Sequence, residues 1–298
     1  MPFRREEILR YEEIITIVRA ATSLGITKVR ITGGEPLVRA DIVDFVRMLA
    51  GVPGIDDISL TTNGVLLTGN AARLRDAGLH RVNISLDTLR EERFTRVTRR
   101  GSLSSVLAGI DAAQAAGLAP VKINVVVMRG VNDDEVVDFA RRTLDLPWHV
   151  RFIEFMPIGE CQAALKTELG LGDDFLSVGE VQRLIEGLGK LEPEHTVPGN
   201  GPARYYRLRG AAGTIGFISP ISEHFCFHCN RLRLTADGRL RPCLLSDREV
   251  DLRGPLRLGA SEEDLRVLIS EAIRAKPERH GLAENVVPHL RLMGQIGG

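Results

Sequence analysis

Thr27-Lys28-Val29-Arg30-Ile31-Thr32 runs directly into Gly33-Gly34-Glu35-Pro36, and this stretch decides the fold. A short β-rich run stops on a glycine–proline bend, which ends a regular element. Ahead of it, Ile8, Tyr11, Ile15 and Val18 fall at helical spacing within residues 6–24, and Gly25 supplies a stop. Behind it the same alternation repeats. The pattern predicts helices over 41–49, 71–77, 103–116 and 134–144, and strands over 58–62, 81–86, 121–128 and 149–155. Strands alternating with helices mean βαβ crossovers and parallel pairing. Five strands before Pro157 predict an α/β fold, a partial (β/α) TIM-like barrel rather than a closed eight-stranded one. After Pro157 the alternation stops. A further helix is expected over 178–188, a strand pair over 204–221, a hairpin over 231–241 and a last helix over 261–275. The chain is therefore divided into a partial barrel, 1–160, and a smaller C-terminal region, 161–298.

The composition narrows the function. Of the 298 residues, 39 are Lys or Arg and 39 are Asp or Glu, so no bulk charge draws the chain to nucleic acid or a membrane. No apolar run is long enough to span a bilayer, and Met1-Pro2-Phe3-Arg4-Arg5-Glu6-Glu7 carries no signal core. A cytoplasmic protein with reduced thiols is expected, and four cysteines make no disulfide scaffold.

The strands carry polar residues on one face. Side chains alternate with period two. Lys28, Arg30 and Thr32 oppose Val29 and Ile31; Ser59, Thr61 and Asn63 oppose Ile58, Leu60 and Thr62. Asn83, Ser85 and Asp87 oppose Val82, Ile84 and Leu86; Lys122 and Asn124 oppose Val121 and Ile123; Arg151 opposes Val150 and Phe152. The apolar set must face the helices, which turns the polar set toward the concave side of the sheet. Burying four such cations without partners is very costly, and a bound polyanion removes the cost. An anionic, phosphorylated ligand is the inference.

Cys226-Phe227-His228-Cys229 and Cys243 form C-x2-C-x13-C. Two thiolates two residues apart chelate from a tight turn, and the third arrives past the hairpin. The set suits an iron–sulfur cluster with one open iron, or a zinc site completed by His224 or His228. Cys161 stands apart and is read as a spectator. Arg231 and Arg233 share one strand face beside this site, an arrangement that suits a phosphate.

These segments together resemble the radical S-adenosylmethionine (SAM) family, and within it the GTP 3′,8-cyclases of molybdenum cofactor biosynthesis. The resemblance rests on Ile31-Thr32-Gly33-Gly34-Glu35-Pro36, Leu60-Thr61-Thr62-Asn63-Gly64, Asn83-Ile84-Ser85-Leu86-Asp87 and Lys122-Ile123-Asn124. It continues through Arg151-Phe152-Ile153-Glu154-Phe155-Met156-Pro157 and Gly216-Phe217-Ile218-Ser219-Pro220. It closes on Cys226-x2-Cys229-Asn230-Arg231-Leu232-Arg233-Leu234-Thr235-Ala236-Asp237-Gly238, Arg241-Pro242-Cys243-Leu244 and the tail Ile296-Gly297-Gly298. The resemblance implies a lyase that converts GTP to (8S)-3′,8-cyclo-7,8-dihydroguanosine 5′-triphosphate. It implies SAM contacts at Gly34, Ser85 and Met156, and GTP contacts at Arg30, Thr61, Lys122, Arg151, Arg231, Leu232 and Arg233. Cys226, Cys229 and Cys243 become ligands of a C-terminal [4Fe–4S] cluster whose open iron takes the guanine base.

The family also carries C-x3-C-x2-C after a first strand, for the cluster that reduces SAM, and no cysteine here precedes Cys161. A truncated form lacking that strand and cluster is therefore expected, and the catalytic cysteines of radical generation have no counterpart. Two other readings stand beside it: a non-catalytic GTP-binding relic with one Fe–S cluster, and a zinc-containing phosphate-binding barrel enzyme. The partners implied are GTP, SAM, a reductant and the downstream cyclic pyranopterin monophosphate synthase. Neither nucleic acid nor membrane is among them, and a homodimer is among the assemblies allowed.

Overall fold

The computed structural model describes residues 4–99, 101–156, 175–199, 201–223, 225–281, 291 and 293–296. The expected boundary near residue 160 lies outside them. Helix α1 (Tyr11–Thr22) leads into β1 (Lys28–Ile31), then α2 (Ile42–Ala50), β2 (Asp57–Thr62), α3 (Ala71–Asp76) and β3 (Arg81–Ser85). Helices α4 (Glu91–Thr98) and α5 (Leu103–Ala115), β4 (Lys122–Val127), α6 (Val136–Asp145) and β5 (His149–Glu154) follow. Strands β1 to β5 pair in parallel and in sequence order, as the alternation requires.

Beyond α7 (Val178–Ile185), strands β6 (Leu191–Glu194), β7 (Arg204–Leu208) and β8 (Thr214–Ile218) extend the same sheet. The strand order is β1-β2-β3-β4-β5-β8-β7-β6. Strand β8 lies parallel to β5, whereas β7 and β6 turn back antiparallel. The strand pair expected over 204–221 is thus a continuation of the barrel sheet. A three-stranded antiparallel sheet, β11-β10-β9, holds β9 (Arg233–Leu234), β10 (Arg239–Arg241) and β11 (Val250–Asp251). Helices α8 (Arg253–Arg257), α9 (Glu262–Arg274) and α10 (Met293–Ile296) complete the described elements. Among the described residues no helix is long and apolar enough to cross a membrane.

The apolar strand face forms the main core. Ile58, Leu60, Val82, Ile84, Ile123, Val125, Val150, Phe152, Ile215 and Phe217 pack against helix residues such as Leu49, Leu74, Ile110 and Phe139. A second core joins Ile17 and Ala20 of α1 to Leu240, Leu265 and Ile269, fixing the small sheet beside the barrel. Element ends are tied by carboxylates. Glu35 of the bend accepts from the Leu37 amide (3.0 Å), Thr62 Oγ1 (2.7 Å) and the Asn63 amide (2.7 Å), so the ends of β1 and β2 are held together.

Helix α5 packs unusually close to the turn after β2. A Cβ on Gly109 would stand 2.3 Å from the Gly64 carbonyl oxygen, and Gly64 itself holds φ +83°. In an exposed helix, Gly→Ala is favourable by about 1 kcal/mol, but overpacking a core costs about 1–3 kcal/mol. The backbone oxygen cannot swing away as a side chain would, so overpacking wins. Gly109→Ala is expected to lower the urea unfolding midpoint by the equivalent of about 1–2 kcal/mol. A raised midpoint would show that α5 shifts without cost.

Candidate functional site

The polar strand face is built as a cationic cleft. Strand register sets its rows: Arg30 opposite Ser59, and Ser59 opposite Arg81. In the next row Thr61, Asn83, Lys122, His149 and Thr214 stand side by side, and then Ser85, Asn124, Arg151 and Gly216. Lys122, Arg151 and Arg81 are buried at 4%, 3% and 8% exposure. Such cations need partners. Arg81 forms a two-pronged ion pair with Asp57, one bond measuring 2.6 Å. Arg151 donates to Asn83 Oδ1 (2.8 Å), and Asn83 Nδ2 in turn donates to the Leu60 carbonyl (3.2 Å) and Thr61 Oγ1 (3.4 Å). Lys122 Nζ donates to the Pro198 carbonyl and lies 5.6 Å from the centre of the Tyr205 ring.

Burial, followed by the charges of Arg151, Arg81 and Arg30, pushes the Lys122 ammonium down to about 7. Arg30 is exposed to solvent, and desolvation together with the like charge of Arg151, Arg231, Arg233 and Arg81 lowers it from the usual guanidinium range. Arg30 still carries its charge at neutral pH. Burial also lowers Arg151, and burial with Lys122, Arg207 and Arg151 lowers His149 to about 4, leaving its ring neutral beside Thr214 (2.7 Å). Two buried polar atoms on this face, Asn124 Oδ1 and Arg151 Nε, have no hydrogen-bond partner among the described residues.

The cysteine loop meets the cleft from the second sheet. Cys226–His228 form a single 3-10 turn, and Cys243 follows β10, so the hairpin returns the third thiol to the first two. Cys226, Cys229 and Cys243 line one cavity of about 60 Å³ with Met156, Arg231 and Arg233. Lys276 Nζ closes this loop by donating to the carbonyls of Arg231 (2.9 Å) and Pro242 (2.6 Å). Burial raises the Cys243 thiol. Burial opposes ionisation at Cys229 too, but the charge and hydrogen bonds of Arg231 outweigh it and the thiol is lowered. Among the described residues no three His, Cys, Asp or Glu side chains are gathered as a single metal ion requires. Three thiols spread around one cavity suit a polynuclear cluster, whose ligands sit on separate irons. His228 is exposed, while His224 and Cys161 lie outside the described residues.

Gly34 follows β1, Ser85 ends β3 and Met156 follows β5, so these three lie at the C-terminal ends of parallel strands. Lys122 and His149 begin β4 and β5 at the other end. Leu232 is half-buried at the start of the hairpin. The backbone carbonyl of Ile296 accepts from Arg233 (3.4 Å), so the chain near the Gly297-Gly298 tail reaches the same cavity, with Gly297 and Gly298 outside the described residues. Asn83, Tyr205, Arg81 and Pro198 were not singled out from the sequence. Asn83 was visible on the polar face, and nothing local to 198 or 205 pointed to Lys122.

The model of the radical SAM superfamily matches residues 1–143, and that of Molybdenum Cofactor Synthesis C matches residues 148–282. A GTP 3′,8-cyclase of Moorella thermoacetica is 52% identical over 98% of this chain and 88% of its own length. A GTP 3′,8-cyclase of Heliobacterium modesticaldum is 54% identical over the same shares, 98% and 88%. Among solved structures, a radical SAM methyltransferase from Sphaerobacter thermophilus is similar at 20% identity, with TM-score 0.49, over 70% of this chain and 58% of that one.

The cleft makes a protonic prediction. Lys122, held at about 7 instead of 10.5, is largely neutral at pH 8 in the free protein. A polyanion favours the charged form and raises the pKa, so binding takes up a proton above about pH 7 and none well below it. Calorimetry of sulfate, which has no titratable proton at pH 8, in buffers of different ionisation enthalpy, should show net proton uptake on binding. Binding without proton exchange at that pH would contradict this placement of Lys122.

Proposed function

The chain belongs to the GTP 3′,8-cyclase family of radical SAM enzymes, and from that premise we propose that its cationic cleft holds the triphosphate of GTP beside a three-cysteine cluster site. The reaction is the conversion of GTP to (8S)-3′,8-cyclo-7,8-dihydroguanosine 5′-triphosphate in molybdenum cofactor biosynthesis. In the family, SAM with a SAM-reducing iron–sulfur cluster would supply the radical chemistry that joins ribose C3′ to guanine C8. The ligands of the SAM-reducing cluster have no counterpart among these residues, whose cysteines are Cys161, Cys226, Cys229 and Cys243.

What this chain contributes is binding and orientation. Arg30, Lys122, Arg151, Arg231 and Arg233 grip the phosphates, with Thr61 and Leu232 completing the GTP contacts. Guanidinium groups suit this because their fork of N–H donors matches phosphate oxygens. Gly34, Ser85 and Met156 contact SAM at the C-terminal ends of the strands, away from Lys122 at the start of β4. Cys226, Cys229 and Cys243 would hold one [4Fe–4S] cluster, whose remaining iron would be open to the guanine base. The placement of Arg30, Arg81, Lys122 and Arg151 on one face of β1, β3, β4 and β5, with Lys122 and Arg151 buried, is the observation that supports this reading best. The division into 1–160 and 161–298, a cytoplasmic location, an electron donor and the downstream cyclic pyranopterin monophosphate synthase belong to the same proposal.

A charge-assisted hydrogen bond contributes about 1.5–3 kcal/mol, so Lys122→Ala and Arg151→Ala should each weaken GTP about tenfold or more by calorimetry. Unchanged affinity in both variants would overturn the triphosphate assignment. For the cluster, anaerobically reconstituted Cys243→Ser should lose its iron and broad visible absorption, while Cys161→Ser keeps both. Equal loss in the two variants would make Cys161 the fourth ligand and remove the open iron.

A further inference from the structure

The loop between β6 and β7 folds back onto the cationic cleft. Its Pro198 carbonyl accepts a hydrogen bond from Lys122 Nζ, 76 residues away in sequence. Gly199 follows with φ +112°, and a Cβ built there would lie 3.1 Å from Lys122 Nζ and 3.5 Å from Arg81 Nη2. Tyr205, on the strand this loop enters, sets its ring 5.6 Å from the same ammonium. Backbone, aromatic face and the Asp57-paired Arg81 thus enclose the Lys122 head at the end of the cleft where β4 begins.

We infer that the Pro198–Gly199 turn is the floor of the triphosphate site and that Gly199 is a positioning residue for Lys122. This rests on the reading of Lys122 as a GTP-binding side chain. An ammonium carries three N–H donors, and a buried one left wholly unpartnered is strongly disfavoured. The Pro198 carbonyl satisfies one donor and leaves the others for phosphate oxygens. Because a carbonyl is neutral, it orients the ammonium without cancelling the charge that attracts the ligand; a carboxylate in its place would do both. The absence of a side chain at 199 lets the backbone come this close. The nearest obstacle to a Cβ is the end of Lys122, and φ +112° is strained for any L side chain, so a substitution there shifts the turn and the ammonium that its Pro198 carbonyl holds.

The test is GTP and guanosine binding by the reconstituted 298-residue chain, with thermal unfolding recorded for each variant. Gly199→Ala is expected to weaken GTP about tenfold, as loss of one charge-assisted contact would, while guanosine affinity is unchanged. Gly201→Ala, on the same loop with open space around its Cβ position, should bind both ligands as the parent protein does. If Lys122→Ala weakens GTP and Gly199→Ala does not, the floor is wrong and the triphosphate reading stands. If Lys122→Ala itself leaves GTP affinity intact, the triphosphate reading fails and takes the floor with it. Should Gly199→Ala not fold, a crystal structure of the parent protein with GTP decides. Pro198 O still within hydrogen-bond distance of Lys122 Nζ supports the inference, and a loop withdrawn from Lys122 overturns it.

Discussion

Positive charge gathered where water is scarce is the constraint on which this structure turns. Desolvation and neighbouring cations, Arg81 among them, lower the proton affinity of Arg30, Lys122 and Arg151, and Arg231 and Arg233 add their field from the hairpin side. At an effective dielectric constant near 20, two like charges a few ångströms apart repel by several kcal/mol. The fold answers mostly with neutral acceptors. Arg151 is held by the Asn83 amide and Lys122 by the Pro198 carbonyl, while Asp57 is spent on Arg81. Neutral partners orient the cations and leave their charge uncancelled, which is the condition for preorganised binding of an anion.

The buried carboxylates do a different job. Glu154, 2% exposed, accepts from the amides of Val178, Ile221 and Ser222, each at 3.0 Å, and so fixes the end of β5 to the segments entering α7 and leaving β8. Glu135 is fully buried and accepts from Thr88 Oγ1 and the Leu89 amide, both at 2.6 Å. Glu35 does the same across the ends of β1 and β2. Negative charge is thus bonded to backbone amides at the strand ends, and positive charge is left on the strand faces. The separation makes a strongly electropositive cleft inside a chain of zero net charge.

Much of this was legible because it is local. Period-two alternation in 28–32, 81–86 and 121–128 gave both the parallel strands and the polar face, and the C-x2-C-x13-C spacing gave the thiol cavity. What was missed is non-local or weakly patterned. Helix α4, EERFTRVT, buries Phe94 alone, so it offers no apolar periodicity to read. Strand β6, LEPE, carries a proline and sits at the sheet edge, where a missing N–H is tolerated. The parallel pairing of β8 with β5 joins segments about sixty residues apart, and no local preference specifies it. Pro198 and Tyr205 reach Lys122 through that same pairing, which is why neither drew notice in the sequence.

The β9–β10 hairpin links the two halves of the site through covalent geometry. Arg231 and Arg233 lie two and four residues past Cys229, and all three line one cavity with Cys243. The fully buried Arg241 braces this hairpin by bonding Glu249 and the Ser246 carbonyl, and Lys276 holds the carbonyls of Arg231 and Pro242. A ligand gripped by these arginines is therefore placed relative to the thiols by a braced hairpin. Arg30 feels the charge of both Arg151 on the barrel and Arg233 on the hairpin. Orientation of a long, charged nucleotide needs fixed points at both of its ends, because one end alone leaves it free to swing. On the proposed GTP reading those fixed points belong to two sheets, joined through α1, whose Ile17 and Ala20 pack against Leu240 and Leu265.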